Sequence, residues 1–311
     1  IADLCNRFLT TKRRALDANE IVDRTFSDYY LTCERIIRFF GHDRRVDDLA
    51  ADDFELVRAE MAKTRGPVAL GSEINRIRVV MKYAFDQGLI ASAVRYGQSF
   101  RRPSKKVLLQ QRNARGPRMF EAPAIRKLIA AAKPPLNAMI LLGINCGFGP
   151  TDLVRLRLSN LDLKKGWVDY PRPKTGVHRR CPLWPETVTA LQQWLAVRPE
   201  PVDASQDDAV FITNSGGNWN GRSTGSDVTA AFRQLLKSTM HYRLGIGFYA
   251  LRHGFETIGG DSRDQVSVDH IMGHSRGDMA SVYRERISDE RLKAVTDHVR
   301  KWLFPKKPTL R

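Results

Sequence analysis

Apolar residues in the first hundred positions recur at intervals of three and four, which is the spacing of amphipathic α-helices. Residues 27–40 carry such a face on Tyr30, Cys33, Ile36, Ile37 and Phe40. The same spacing continues on Phe54, Val57 and Met61. A third segment, 72–87, ends before Gly88, as expected of a helix with a glycine after its last turn. These segments predict a small helical bundle.

The pattern after residue 118 is mixed, with helical spacing interrupted by short runs typical of strands. Helices are predicted over 122–132, 136–146, 186–197, 228–240, 249–257, 266–272 and 289–302. Two strands, 166–170 and 178–183, are predicted to form a hairpin around Lys174-Thr175-Gly176, and a further short strand is predicted at 209–213. The predicted fold class is therefore mainly α with a small β-sheet, built from a helical domain and a mixed α/β domain.

The stretch 101–118, RRPSKKVLLQQRNARGPR, contains no acidic residue and is predicted to link the two domains. Its basic residues are Arg101, Arg102, Lys105, Lys106, Arg112, Arg115 and Arg118. A basic connector can be a solvated tether, or it can lie along the phosphates of a nucleic acid, and the sequence leaves both readings open. The predicted domains are accordingly 1–100 and 119–311, with 101–118 between them.

The 311 residues include 51 Lys plus Arg and 34 Asp plus Glu, which gives a net charge of +17. Residues 1–100 hold 16 basic and 15 acidic residues, so the remaining 35 and 19 place a charge of +16 in residues 101–311. Charge concentrated in this way favours a polyanionic partner, most often nucleic acid, although a solvated basic surface is the alternative.

Several other classes of function are disfavoured. The sequence has no phosphate-binding loop of the form G-x-x-x-x-G-K-[ST]. The longest nearly apolar stretch, 138–148, is too short to span a bilayer. His270 and His274 lack the glutamate of H-E-x-x-H and an evident third ligand, so no metal or other cofactor is predicted. The four cysteines are far apart in the sequence, which predicts a reducing, cytoplasmic location. The first residue is Ile1 and not Met, which suggests that a preceding segment is missing.

Three ordered motifs near the C-terminus carry a specific resemblance. The stretch Tyr249-Ala250-Leu251-Arg252-His253 is followed by Met272-Gly273-His274-Ser275, and Tyr283 lies nine residues beyond His274. This arrangement resembles the tyrosine recombinase (phage integrase) family. The resemblance implies that Arg252 is the second catalytic arginine, that Tyr283 is the nucleophile, and that His274 occupies the His/Trp position.

The predicted hairpin extends the resemblance. Pro171-Arg172-Pro173-Lys174-Thr175-Gly176 followed by Arg179-Arg180-Cys181-Pro182-Leu183 is similar to the lysine loop of the family, which implies that Lys174 is its catalytic lysine. The N-terminal helical bundle is similar to the core-binding domain of the family. The implied partner is double-stranded DNA, clamped by both domains, and the candidate DNA-binding residues are the seven linker cations together with Arg179 and Arg180.

The chemistry of the family explains this set of residue types. Transesterification of a phosphodiester needs a nucleophile, cations on the non-bridging oxygens and a proton for the departing 5′ oxygen. A 3′-phosphotyrosyl bond preserves the energy of the phosphodiester, so no nucleotide or metal is required. Lys174 is implied as the general acid, and His274 as a hydrogen-bond donor to phosphate.

Two positions depart from the family pattern. The first arginine belongs to a motif of the form T-G-L-R-x-S-E-L, and here Gly149 stands where that arginine is expected. Loss of one of two guanidinium groups predicts slow cleavage. Arg179, Arg180 or a group from a neighbouring subunit could supply the missing charge. A Gly149→Arg change, which restores the arginine, is expected to accelerate cleavage. The second departure is Tyr249, which replaces the histidine of H-x-x-R.

The last predicted helix has an apolar stripe at Leu292, Val295, Val299, Trp302 and Leu303. The stripe either packs on its own domain or, as the resemblance allows, docks on a neighbouring subunit in a homotetramer on DNA. The predicted function is site-specific DNA recombination or integration in a mobile element or chromosomal system. The alternatives are a catalytically silent DNA-binding protein that retains the fold and, less favoured, a nicking and resealing activity like that of a type IB topoisomerase.

Overall fold

The chain divides into two compact units in a computed structural model that describes residues 1–219, 227–274, 279 and 283–305. The first unit spans Ile1–Gly116 and the second Pro117–Arg311. The division falls within the stretch 101–118 that the sequence predicts to be a linker.

The first unit is a helical bundle, as its hydrophobic pattern predicts. Its helices are α1 (Ala2–Asp17), α2 (Asp23–Phe40), α3 (Ala51–Thr64), α4 (Pro67–Asp86) and α5 (Lys105–Ala114). The core contains most of the predicted apolar faces, including Ile36, Phe54 and Ile74. Tyr30 is an exception, since its side chain is 48% exposed, and its place in the predicted face was wrong. Helix α1 was not predicted, yet Leu4 and Phe8 are buried in this core. Its apolar face is short and is followed by a strongly charged half, which weakens its periodicity.

Helix α5 lies inside the predicted linker, where the sequence analysis predicts no helix. The Ser104 side chain caps it by accepting a hydrogen bond from the backbone N–H of Val107 at 3.3 Å. No residue of α5 is buried, so it has no apolar stripe that a sequence pattern could reveal. The seven basic residues of the stretch are all exposed.

The second unit packs helices around a small antiparallel sheet. Its elements are α6 (Ala122–Ala131), α7 (Leu136–Asn145), α8 (Pro150–Arg155), β1 (Leu161–Asp162), β2 (Trp167–Asp169), β3 (Arg180–Pro182), α9 (Pro185–Ala196), α10 (Asp227–Ser238), α11 (Tyr249–Gly260), α12 (Gln265–Met272) and α13 (Asp289–Leu303). The strand order is β1-β2-β3, and Val168 pairs with Leu161 on one side and Cys181 on the other. The predicted class, mainly α with a small sheet, is confirmed.

The prediction of a strand at 209–213 was wrong, because the segment forms isolated bridges and no continuous strand. Ala209 pairs with Arg157, and Ile212 pairs with Asn218, but each contact is an isolated bridge. The segment is apolar because Val210 and Phe211 enter the core, and burial rather than sheet pairing explains its strand-like composition.

A buried amide fixes the end of α7 against the strand and helix that follow. Asn145 donates to the carbonyl of Pro182 at 3.0 Å and accepts from the N–H of Trp184 at 2.8 Å and the hydroxyl of Thr187 at 2.9 Å. These bonds satisfy a polar side chain that has no access to solvent. They hold the end of α7, four residues before Gly149, against the end of β3 and the start of α9.

The apolar stripe of α13 is buried within its own unit. Leu292, Val295, Val299 and Leu303 all lie in the core of the second unit, where α13 contacts α11, α12 and β3. The stripe therefore packs on its own domain, which is one of the two arrangements that the sequence leaves open. None of the described helices is both long enough and apolar enough to cross a membrane.

Candidate active site

Arg252 is the centre of a cluster formed by the start of α11, the end of α7 and the end of α12. Its side chain is only 2% exposed, and its Nη1 donates to the carbonyl of Gly147 at 2.5 Å. Its Nη2 donates to the carbonyl of Met272 at 2.8 Å and contacts Nε2 of His274 at 2.9 Å. These partners are all uncharged, so the described part of the chain places no carboxylate within 4 Å of this guanidinium.

His274 is held by its backbone and by both ring nitrogens. Gly273 ends α12 in the left-handed region, with a φ of 65°, and the N–H of His274 donates to the carbonyl of Asp269 at 2.8 Å. Nδ1 lies 3.5 Å from Oδ1 of Asp269 and 3.6 Å from Oε2 of Glu256. Because a guanidinium can only donate, Nε2 accepts from Arg252 and the ring proton is assigned to Nδ1, facing the carboxylates.

Glu256, Asp269 and His274 also have the composition of a metal site. One potential ligand atom from each lies within 4.8 Å of the others. A metal on Nδ1 would move the ring proton to Nε2, where it would face the Arg252 donor. The hydrogen bonds therefore favour a role for both carboxylates in orienting His274.

Gly149 and Tyr249, the two positions that depart from the family pattern, lie against each other. Gly149 precedes α8 with a φ of −94°, a conformation open to any residue, and its N–H donates to Oδ2 of Asp152 at 2.7 Å. A Cβ atom added at Gly149 would lie 3.3 Å from Cε2 of Tyr249. Tyr249 is 48% exposed and partly fills the space in which a side chain at position 149 would start.

The loop between β2 and β3 packs on the end of α12. The backbone N–H of Arg172 donates to the carbonyl of Val177 at 2.8 Å, which closes a turn that contains Lys174. Arg172 Nη1 and Thr175 Oγ1 both donate to the carbonyl of Gly273, at 3.2 and 3.4 Å. The side chain of Lys174 is exposed, at a loop that is anchored beside His274.

Arg179 and Arg180, two of the candidate DNA-binding residues, are engaged within the protein. Arg179 is 1% exposed, donates to Oδ1 of Asp152 at 3.0 Å, and stacks between the rings of Phe148 and Tyr170. Arg180 bridges Asp169 and Asp289. The structure does not support a surface contact with DNA for Arg179, because the side chain is needed to pair a buried carboxylate.

Tyr283 lies outside the buried cluster. Its side chain is 75% exposed, and its backbone N–H donates to the carbonyl of Met279 at 3.3 Å. Ser275, the last residue of the Met272–Ser275 motif, lies outside the described residues. The structure thus brings Arg252, His274, Tyr249 and Gly149 together, with Lys174 on the adjoining loop and Tyr283 in a solvent-accessible position.

Burial is the largest influence on the charge of Arg252, and neighbouring charges of both signs act on it. Burial lowers the pKa of Arg252, and the positive charges of Arg172 and Arg179 add to this effect, while Tyr249 and the carboxylate of Asp152 oppose it. A guanidinium remains protonated at neutral pH even so. The cluster therefore holds a buried positive charge with no carboxylate within 4 Å among the described residues, although Asp152 acts on it from a longer distance.

Sequence reasoning missed Arg172, Glu256 and Asp269. Arg172 is two residues before Lys174 in a loop, where no periodicity shows which way a side chain points. Glu256 is one turn beyond Arg252, so helical spacing could have placed it near that residue. Asp269 is five residues before His274, which lies past the end of α12, so helical spacing does not bring these two together. The backbone carbonyls of Gly147 and Met272 carry no signal in the side-chain sequence.

Comparison with known proteins agrees with this geometry. A family model described as the phage integrase family matches residues 118–291. The tyrosine recombinase XerC of Yersinia pestis is 26% identical over 224 residues, which cover 69% of this chain and 67% of that protein. XerC of Haemophilus ducreyi is 32% identical over 148 residues, 47% of this chain and 46% of that protein. The chain thus spans from about half to two thirds of the length of these relatives.

Solved structures share the fold. A lambda integrase fragment, in a dimer bound to a COC′ core site, superposes with a TM-score of 0.68 and 16% identity, covering 93% of this chain and 99% of that one. The integrase of the Tn1549 transposon, in complex with circular intermediate DNA, gives a TM-score of 0.66 and 17% identity, with 94% and 98% covered. The similarity therefore extends over both units of the chain.

Proposed function

The chain belongs to the phage integrase family, and on that premise we propose that it is a site-specific recombinase that cuts and rejoins double-stranded DNA through a covalent bond to Tyr283. The observation that carries the proposal is the state of Arg252. A buried guanidinium whose described partners are two carbonyls and an imidazole is further stabilised when an anion completes its contacts. A phosphodiester supplies that anion.

The proposed step begins with the hydroxyl of Tyr283, whose exposure lets it meet a bound phosphate. Its oxygen bonds to phosphorus as the bond between phosphorus and the 5′ oxygen breaks, and its proton passes to solvent. Lys174 protonates the departing oxygen, which leaves a 5′-hydroxyl and a 3′-phosphotyrosyl bond. Attack by a 5′-hydroxyl reverses the step and rejoins the strand without a nucleotide or metal.

Arg252 contributes by compensating charge on the non-bridging oxygens. Charge-assisted hydrogen bonds from a guanidinium are strong, and the fork is fixed before DNA arrives because the Gly147 and Met272 carbonyls hold it. His274, with Nε2 on Arg252, first orients that guanidinium. For His274 to donate to phosphate, as the family resemblance implies, Nε2 must first leave Arg252, because it accepts from the guanidinium in this structure.

The proposal extends to binding and assembly. The exposed cations of 101–118 supply phosphate contacts, and the protein acts on DNA in the cytoplasm as a homotetramer. The α13 stripe is buried in its own unit, so docking in trans would exchange α13 between subunits. Light scattering with and without DNA tests this: tetramers only on DNA are expected, and monomers on recombination intermediates would contradict it.

A cleavage assay on selected DNA tests the activity. Duplexes that bind the protein are selected from a random-sequence pool, and a nick is moved stepwise along them so that a short fragment leaves after cleavage and traps the adduct. A protein–DNA adduct on denaturing gels is expected for the wild type and not for Tyr283→Phe. An adduct of equal yield with Tyr283→Phe would refute the assigned nucleophile.

Gly149 favours a second candidate function, that of a catalytically silent DNA-binding protein with the recombinase fold. The two functions differ in one result. Tight binding with no adduct at any nick position supports the binder, whereas an adduct supports the recombinase.

A further inference from the structure

Three arginines lie on the β2–β3 hairpin, and two of them are already neutralised by acidic side chains. Arg179 is paired with Asp152, and Arg180 is paired with Asp169 and Asp289. A guanidinium in such a pair must give up its carboxylate before it can compensate a phosphate, which is costly for a buried pair. Arg179 is therefore not free to replace the arginine that is absent at Gly149, and Arg180, the next residue along the hairpin, points to the opposite face from Arg179 and Asp152.

Arg172 differs from both. Its guanidinium is partly buried and donates through Nη1 to the carbonyl of Gly273 at 3.2 Å, with no carboxylate within 4 Å of it in the described part of the chain. Among the described residues, the remaining donors of its planar fork have no partner and can bind a ligand. Arg172 therefore carries an uncompensated positive charge on a side chain that the protein holds in place.

The position of Arg172 relates it directly to Arg252. Arg252 donates to the carbonyl of Met272, and Arg172 donates to that of the next residue, Gly273. Two consecutive carbonyls thus hold the two guanidinium groups beside His274. Of the cationic neighbours, Arg172 lowers the pKa of Arg252 most, after the effect of burial, which is consistent with two like charges facing one site.

The packing makes this arrangement specific. A Cβ atom added at Gly273 would lie 2.9 Å from Cβ of Arg172, so the hairpin approaches the end of α12 as closely as a glycine allows. At the other side of the cluster, the Tyr249 ring lies against Gly149 and partly fills the space of a side chain there. The Tyr249 ring thus occupies the space beside Gly149, and Arg172 brings a cation close to Gly273.

We propose that Arg172 supplies the second guanidinium of the phosphate site, in place of the arginine that is absent at Gly149. Arg252 and Arg172 together compensate the two non-bridging oxygens, and Lys174, two residues beyond Arg172, is carried to the departing oxygen by the same loop. This proposal rests on the proposed function, because it assigns a catalytic residue to the same cleavage step.

Single-turnover cleavage of the nicked duplex measures the contribution of Arg172. Arg172→Ala is expected to lower the cleavage rate about 10²–10³-fold, the range seen when one charge-stabilising donor is removed from an active site. Arg172→Lys, which keeps the charge and loses the fork, should fall between Arg172→Ala and the wild type. Arg155→Ala removes an exposed arginine of the same unit and serves as the matched control, with a rate close to that of the wild type.

A substrate with a neutral scissile linkage separates catalysis from structure. In a methylphosphonate a methyl group replaces one charged oxygen, so the diastereomer that lacks the oxygen facing Arg172 no longer needs that cation. The deficit of Arg172→Ala is expected to shrink to less than about tenfold on this substrate. A purely structural defect would be equally large on both substrates.

Restoring a cation at position 149 provides the complementary test. Gly149→Arg combined with Tyr249→His, which clears the space, should recover cleavage in the Arg172→Ala background and change the wild-type rate far less. Gly149→Arg alone should recover less, because its Cβ meets the Tyr249 ring. Failure of the combined variant to recover any activity, although it is folded and binds DNA, would contradict replacement of one guanidinium by the other.

The outcomes distinguish the two proposals. A wild-type adduct together with an Arg172→Ala rate within about threefold of the wild type overturns the role of Arg172 and leaves the recombinase assignment intact. Absence of a wild-type adduct at every nick position overturns the recombinase assignment and this proposal with it. If Arg172→Ala does not fold, Arg172→Lys on the two substrates decides the question by the same comparison.

Discussion

Arg179 and Arg180 are adjacent in sequence and alike in chemistry, but they have opposite environments. Arg179 is buried between two aromatic rings and shares Asp152 with the N–H of Gly149. Arg180 is partly exposed between two surface carboxylates. Strand alternation explains the difference, since successive side chains point to opposite faces of the hairpin.

This contrast predicts unequal effects on stability. Arg179→Met should destabilise the second unit by about 3–5 kcal/mol, because Asp152 is left buried without a cation. Arg180→Met should cost about 1 kcal/mol or less, because its pairs are screened by solvent. All five tryptophans lie beyond residue 116, so urea unfolding followed by tryptophan fluorescence reports on this unit alone. Equal losses for both variants would contradict the prediction.

The residues of the candidate site could be predicted from the sequence only where a motif marks them. The spacing of Arg252, His274 and Tyr283 was sufficient to single them out, but their mutual contacts were not accessible. The hydrogen bond between Arg252 and His274 depends on the left-handed turn at Gly273, and the contact between Gly149 and Tyr249 joins residues one hundred positions apart. Local patterns contain no information on such contacts.

At the scale of elements, α12 and α13 are joined through a helix cap. Asp264 caps α12 by accepting from the N–H of Ser267 at 3.1 Å, and Arg291 of α13 donates to both of its oxygens, at 2.8 and 2.6 Å. The Arg291 guanidinium lowers the pKa of Asp264 to about 2. The cap thus fixes the start of α12, the helix that leads to Gly273 and His274.

This cap predicts a pH dependence of stability. The folded-state pKa of Asp264, about 2, lies below its ordinary value of 3.8, so the stabilisation is complete above pH 4 and is lost as the pH falls from about 4 to 2. Asp264→Asn keeps a capping side chain but should remove this part of the acid sensitivity, and Asp264→Ala should in addition lose about 1 kcal/mol of stability at pH 7. Unfolding curves between pH 2 and 7 measure both effects, with Asp297→Asn, on the same helix α13, as a control. An unchanged acid profile for Asp264→Asn would contradict the assignment.

Elements were predicted well where one face is buried and poorly where none is. The α2 and α4 patterns match buried stripes, whereas α5 buries nothing and looks like a linker in sequence. The segment 209–213 shows the converse error, since a short apolar run predicts a strand although Phe211 is buried in the core and stacks on Trp194 of α9. Sequence patterns indicate which residues are buried, but they do not show which strands pair through hydrogen bonds.

At the scale of the whole molecule, the excess of positive charge lies outside the first hundred residues, and the exposed helix α5 concentrates part of it. No acidic side chain is found in the 101–118 stretch to neutralise it. A helix that buries no residue and exposes several cations contributes little to folding, and its composition suits contact with phosphates. Its loss should therefore affect binding more than stability.

A salt titration tests this role of α5. The triple variant Lys105→Gln, Lys106→Gln, Arg112→Gln should bind duplex DNA more weakly and lower the slope of log affinity against log salt by up to about 0.9 for each lost phosphate contact. Lys133→Gln, Lys164→Gln, Lys165→Gln removes the same charge from exposed positions of the second unit and should change the slope less. Fluorescence anisotropy over a range of salt concentrations gives both slopes. Equal slopes for the two triple variants would show that net charge alone, and not α5, sets the affinity.

The central claim is that this chain forms a covalent bond between Tyr283 and a 3′ phosphate of DNA. The most direct measurement is to trap the adduct on a nicked duplex, digest the protein and the DNA, and locate the modified residue by mass spectrometry. The account predicts a nucleotide on Tyr283, linked through its 3′ phosphate, and a released strand whose 5′-hydroxyl is labelled by a kinase without prior phosphatase treatment. A modified residue other than Tyr283, or a released strand that carries a 5′ phosphate, would contradict it.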